Sequence, residues 1–281
     1  MSLSIRFWGV RGSCPSPGPE TAAVGGNTSC VEVVAGATHI ALDAGTGLRR
    51  MGADLLARRG GRGPVELTLL LSHVHWDHIQ GLPYFAPIYM PGTRLVLGGG
   101  VTGTPLRETL RRLMSAPNHP VDWNDVPADR SYLELRDGGT TQIGEAEVRT
   151  TRANHPDAVF AYRIEHEGRA VVYATDTEHY ACVDPRLVTL ARGADVLVYD
   201  AQYLPEEYAG KVGWGHSTYE AGAALARAAG VGKLVLFHHD PGRTDDAVAA
   251  IEDRARDVFE DVTAAREGMT IELGAPTSIA A

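Results

Sequence analysis

The apolar run "TLLL" ends abruptly in "SHVHWDHIQGL", which puts His73, His75, Asp77 and His78 within six positions. No other junction constrains the fold as much. The segment before it, "VELTLLLS", reads as a strand covered on both faces. Alternate residues of an extended chain share a face, so His73 and His75 can grip one ion together. The chain then turns, and Asp77 and His78 can face a second ion. Four such side chains left unpaired at a strand end would bury polar groups at a cost. Metal ligation therefore explains them better than a structural hydrogen-bond cluster.

The rest of the chain alternates in the same way. With 281 residues, 44% of them apolar, it can bury a sizeable core. "SIRFWGV", "CVEVVAG" and "THIALDAG" read as strands, the last two as a hairpin broken by Gly36. A helix is expected from about Gly47 to Arg59, with Leu48, Met51, Leu55 and Leu56 on one face. "RLVLGG" is a further strand, and residues 105–114 carry leucines at helical spacing. "SAPNHPVDWNDVPADR" is irregular and long for a connection, so residues 103–135 read as an inserted lid. In the second half "AEVRTTRA", "VFAYRIEHEG", "AVVYATD", "ADVLVYDAQY", "KLVLFHH" and "MTIEL" are strands. "DPRLVTLARG", "STYEAGAALARAAG" and "TDDAVAAIEDRARDVF" are helices. Residues 1–281 are expected to form a single α/β domain of four layers, αββα, with two mixed β-sheets face to face between helices.

The formal charge is −9 and no basic run occurs. Broad binding to long nucleic acid is therefore not expected. A small anionic substrate is compatible, because bound cations invert the local field. Cys14, Cys30 and Cys182 lie far apart without CxxC spacing, as in a reducing compartment. No apolar run approaches the roughly 18 residues of a membrane span, and the N-terminus lacks a signal-peptide core. A soluble cytoplasmic protein with no membrane partner is the expectation, and a homodimer is compatible with it.

Taken together, "GNTSC", "LDAGTGL", "SHVHWDH", "ANHP", "YATDTE", "GHST" and "LVLFHHD" resemble, in order and over nearly the whole chain, the metallo-β-lactamase-fold hydrolases. The pattern looks most like the branch holding tRNase Z and the phosphodiesterases of cyclic nucleotides and similar small substrates. The resemblance implies a metallo-β-lactamase fold and two divalent metal ions, Zn²⁺ or alternatively Mn²⁺ or Fe²⁺. It implies His155 as a third imidazole for the first ion, Asp176 as a carboxylate bridging both, and His238 as the partner of Asp77 and His78. A turn histidine before Pro156 and a helix N-cap are the plainer readings of His155 and Asp176. His239 competes with His238. Asp43 either fixes the tautomer of a ligand histidine or only shapes the turn at Gly45. By the same resemblance His216 in "GHST" faces the substrate phosphate and protonates the leaving oxygen, with Asp200 orienting it and Asp77 accepting a proton from the attacking water. The bland reading is a loop histidine beside a capping box from Ser217 to Glu220. His39, His119, His166 and His179 read as surface residues.

The expected function is hydrolysis of a small phosphodiester, such as a cyclic nucleotide, by water activated between two ions. A tRNase Z-type endoribonuclease processing tRNA 3′ ends is the alternative, placed second because no basic or Gly/Pro-rich arm is visible. A thioester or lactone hydrolase would share the metal motif but leave "GHST" idle. Di-iron redox relatives carry Glu at the second motif histidine, and His75 argues against them.

Overall fold

The computed structural model describes residues 3–61, 63–100 and 104–274. The first sheet is built from β1 (Leu3–Gly9), β2 (Cys30–Ala35), β3 (Thr38–Leu42), β4 (Glu66–Leu71), β5 (Arg94–Gly100) and β6 (Asp129–Leu135). The second is built from β7 (Thr140–Ile143), β8 (Ala146–Ala153), β9 (Val159–His166), β10 (Arg169–Ala174), β11 (Val196–Asp200), β12 (Lys233–Phe237) and β13 (Val262–Ala264). A last strand, β14 (Thr270–Leu273), returns to the first sheet beside β1. The strand orders are β14-β1-β2-β3-β4-β5-β6 and β13-β12-β11-β10-β9-β8-β7. Both sheets are mixed: β3 to β6 run parallel, as do β10 to β13, while β1–β2 and β8–β9 are antiparallel.

The period of two explains why these strands lie inside. In β12, Val235 and Phe237 enter the core between the sheets, and Leu234 and Leu236 enter the layer behind the second sheet. β10 does the same, with Val171 and Tyr173 inward and Val172 and Ala174 outward. Each fully buried side chain of this kind contributes about 1.5–3 kcal/mol of transfer free energy. Behind the first sheet lies α1 (Gly47–Ala57), whose Leu48, Met51 and Leu55 pack on Leu67, Leu69 and Leu71 of β4. The short α2 (Trp76–Ile79) and α3 (Leu106–Leu113) complete that side. Behind the second sheet lie α4 (Pro185–Ala191), α6 (Tyr219–Ala229) and α7 (Asp245–Arg256), with the short α5 (Pro205–Tyr208) between α4 and α6 in the chain. The four-layer αββα arrangement expected from the sequence is the one observed.

Two local expectations are corrected. The stretch expected as a lid is only partly one: Asp129–Leu135 is the edge strand β6, paired in parallel with β5. Its alternation is hidden because most of its residues are exposed or half-buried. Gly103, at the other end of that stretch, lies outside the described residues. The cap of α6 is Thr218, whose Oγ1 accepts from the Ala221 N–H at 3.3 Å, because Ser217 Oγ is occupied by His179 and Tyr199. Among the described residues no helix is long and apolar enough to cross a membrane.

Candidate metal centre

Parallel strands that end at one edge put their following residues into one crevice. Asp43 follows β3, Ser72 and His73 follow β4, Asp176 follows β10, Asp200 ends β11 and His238 follows β12. Four residues here hold positive φ without being glycine: Ser13 at 62°, Asp43 at 63°, Asp176 at 49° and His238 at 61°. Backbone strain of this kind costs on the order of 1–3 kcal/mol per residue and collects where geometry serves function. Gly12 is required for a related reason, since a Cβ there would meet His238 Nδ1 at 2.4 Å.

The seven side chains expected as ligands converge as two groups. One ring nitrogen each of His73, His75 and His155 lies within 4.8 Å of the others. Asp77, His78, Asp176 and His238 form a second group on the same criterion, all four buried. Asp176 reaches both. Its Oδ1 is 3.2 Å from His78 Nε2 and 3.2 Å from His238 Nε2, and its Oδ2 is 3.8 Å from His73 Nε2.

The protonation pattern shows what these groups fit. Neutral His78 donates from Nδ1 to Asp43 Oδ2 at 2.8 Å and so offers a lone pair at Nε2 to a metal ion; without one, the surrounding carboxylates draw a proton there. His238 Nδ1 donates to Gln202 Oε1 at 2.8 Å, with the same result. Both lone pairs face carboxylate oxygens: Asp77 Oδ2 lies 3.2 Å from His78 Nε2 and 3.1 Å from His238 Nε2. The Nε2 atoms of His73 and His78 are buried with no hydrogen-bond partner. Converging lone pairs and anions repel unless a cation sits among them, so this donor set fits a divalent metal site.

The electrostatics agree. Burial alone would lower the His78 imidazole, but Asp176, Asp77 and Asp43 outweigh it and push its pKa well up. The same field attracts a cation. Burial opposes ionisation of Asp77 too, and His78 and His238 overcome it, holding the carboxyl well below the usual range. His73 is pushed well down, by burial first and then by His78, which keeps it a neutral donor.

The neighbours of these groups separate ligands from bystanders. Asp43 also accepts from Ser72 Oγ and from the Tyr173 hydroxyl, so it anchors His78 as well as shaping the turn. His239 points away: its Nε2–H donates to the Ala265 carbonyl at 2.9 Å, and burial pushes its pKa down to about 3. His216 Nδ1 lies 2.9 Å from Asp200 Oδ2, and its ring stacks on His238 at 4.9 Å. Burial would lower His216, but Asp200, then Asp176 and Asp77, raise it to about 9. Asp200 also accepts the N–H groups of Asp176 and Ser217, so it is spent as an acceptor although it lies within ligand distance of His216, His238 and Asp176.

Other residues at the site carried no sequence signal. The Ser13 N–H donates to Asp77 Oδ2 at 2.8 Å. Asp157 Oδ2 holds His75 Nε2 at 2.9 Å. Glu178 accepts from the Tyr208 hydroxyl and from the Gly213 and Gly215 N–H groups, fixing the loop that delivers His216. A two-residue offset from Asp176 was the only hint of Glu178. None of the four histidines expected at the surface is fully exposed, and His39 and His119 are half-buried. His166 is buried with Nδ1 against the Glu145 carbonyl, and His179 is half-buried between Ser217 Oγ and the Tyr208 ring.

Comparison with known proteins places this architecture. The ribonuclease Z of Archaeoglobus fulgidus is 25% identical over an alignment of 325 positions, covering 97% of this chain and 98% of that protein. The alignment is longer than this chain, so that relative carries segments absent here. Among solved structures, the metallo-β-lactamase-fold protein YhfI of Bacillus subtilis superposes with a TM-score of 0.73 at 19% identity, covering 96% of this chain and 99% of that one. Human tRNase Z, short form, superposes at 0.66 and 19%, covering 98% and 100%. The name of the Archaeoglobus relative, ribonuclease Z, runs against the expectation, drawn from net charge, of no broad binding to long nucleic acid. Residues 38–239 match the model of the beta-lactamase superfamily domain, a span that contains all seven converging side chains and His216. The chain belongs to that superfamily and is a metal-dependent hydrolase.

Proposed function

We propose that this chain is a dinuclear phosphodiesterase of the ribonuclease Z kind, cutting an RNA phosphodiester at the 3′ side of tRNA. His73, His75 and His155 would hold one ion and Asp77, His78 and His238 the other, with Asp176 available to both. Zn²⁺ is the proposed metal, because imidazole with carboxylate is the donor set of that borderline ion. Two ions there would supply a Lewis acid for the phosphoryl oxygens and an acidified water.

What the chain itself adds is orientation and proton control. Asp77, fixed by the Ser13 N–H, stays ionised and is the base for the proton of the attacking water. His216, tied at Nδ1 to Asp200, presents Nε2 to the leaving oxygen. Asp200 favours the protonated form of His216, the form a general acid needs. The observation that carries this reading is the buried His216–Asp200 pair beside the cage. An alkoxide leaving from phosphorus needs a proton, whereas a thiolate departs without one, so the pair favours a phosphodiester over a thioester.

A small diester such as a cyclic nucleotide is the second reading. The charge of −9 favours it, as do the segments of the Archaeoglobus relative that this chain lacks. The deciding experiment compares kcat/KM of metal-loaded protein on precursor tRNA with a 3′ trailer, 2′,3′- and 3′,5′-cyclic nucleotides, bis-p-nitrophenyl phosphate and a thioester. Precursor tRNA cleaved best supports the first reading. A cyclic nucleotide cleaved best replaces it with the second, and a thioester cleaved best overturns both.

A further inference from the structure

Beside the metal centre lies a groove of about 410 Å³ that the proposed chemistry does not use. Its floor comes from α2, the helix that carries Asp77 and His78, and its far wall from the connection after α3. Trp76, Tyr84, Gln80, Asn118 and His119 line it, with Arg49 at its rim. Trp76 sits in sequence between His75 and Asp77, so its Cα is about 3.8 Å from theirs.

The exposure of these rings is what needs explaining. Trp76 is 68% exposed and Tyr84 63%. The indole and the phenol are large apolar surfaces that most chains bury. His119 meets the Tyr84 ring edge to face, with centroids 6.4 Å apart at 83°. Its Nδ1 is held by the Val121 backbone, 2.9 Å from the carbonyl and 3.2 Å from the N–H. Aromatic faces flanked by amide side chains suit a flat heterocycle, with stacking for its faces and Gln80 and Asn118 for its edge.

We infer that this groove binds a nucleobase of the substrate, the one adjoining the scissile phosphate, stacked on Trp76 and Tyr84. The inference rests on the phosphodiesterase reading and adds a substrate feature to it. It also gives the described part of the expected lid a task, since Leu113, Asn118 and His119 close the groove from that side. His119, read from sequence as a surface residue, becomes one wall of the pocket.

The test uses two esters with the same leaving group: a nucleoside 5′-(p-nitrophenyl) phosphate, and methyl p-nitrophenyl phosphate, which has no base. In metal-loaded protein, Tyr84→Ala and, separately, His119→Ala should lower the nucleoside-over-methyl selectivity about tenfold, the size of one lost stack, through KM rather than kcat. An unchanged selectivity in both variants overturns the inference. Should the parent hydrolyse neither ester, the proposed function fails and fluorescence decides the groove. In Trp214→Phe protein, where Trp76 is the remaining exposed indole, adenosine 5′-monophosphate should quench emission and ribose 5-phosphate should not. Equal quenching by both, or by neither, overturns it.

Discussion

His73, His75 and His155 make an open, uncharged end of the cage, while Asp77, His78, Asp176 and His238 make a closed, anionic one. At the open end His73 is buried, but the His75 side chain is 46% exposed and its carboxylate partner Asp157 73% exposed. At the closed end every donor is buried, and the ring and carboxylate are each fixed from behind by Asp43, Gln202 or the Ser13 N–H. Charge attraction is weak in water and several times stronger where water is excluded. The closed end should therefore keep its cation under conditions that strip the open end. One continuous motif, His73 to His78, feeds both ends, so the difference comes from what surrounds the motif rather than from the motif.

The most destructive test removes the residue both ends share. Asp176→Ala should lose both ions and reduce diester hydrolysis to background, as read by metal analysis and by initial rates. Two ions retained at full occupancy would show that the ends do not depend on a bridge. The next test removes chemistry and leaves the cage. His216→Ala should lower kcat by a factor of about 10²–10⁴ with unchanged metal content. A parallel loss of metal would instead make His216 a ligand of the closed end, in the alternative grouping with Asp176, Asp200 and His238.

Asp43 addresses the closed end. Its direct contact in the cage is with His78 Nδ1 at 2.8 Å, and it reaches the open end only indirectly, through Ser72 Oγ, which lies 3.1 Å from His73 Nδ1. Removing such an outer partner typically costs about 10–100-fold in metal affinity. Asp43→Asn should show that loss for one ion in a chelator titration, leaving the weaker ion where it was. An equal fall at both ends would erase the asymmetry.

Much of this asymmetry was out of reach of sequence reading. The donors of the first motif were legible because they follow an apolar strand, and a strand end facing a crevice is a local pattern. That pattern carried His73, His75, Asp77 and His78, whereas His155, Asp176 and His238 came from the resemblance, with a strand end only compatible with each. The choice between His238 and His239 required the resemblance, since a strand offers both faces. In the structure a positive φ at His238 turns it into the site and sends His239 to Ala265. Ser13, Asp157 and Gln202 were not legible at all. Each acts through space, and Ser13 acts through its backbone N–H, which no side-chain pattern reports. The strand β6 was missed for another reason: as an exposed edge it has no apolar face to alternate.

The smallest effect is expected where the open end meets its own outer partner. Asp157 bonds His75 at 2.9 Å, a geometry as good as that between Asp43 and His78. Its surroundings differ, because solvent screens an exposed pair and exposed pairs contribute little. Asp157→Asn should thus weaken the looser ion only a few-fold, measured in the same chelator titration as Asp43→Asn. Two matched hydrogen bonds would then differ in consequence by about an order of magnitude through burial alone. A loss at Asp157 as large as that at Asp43 would mean that substrate or a closing segment dries the open end, and that its exposure belongs to the resting protein only.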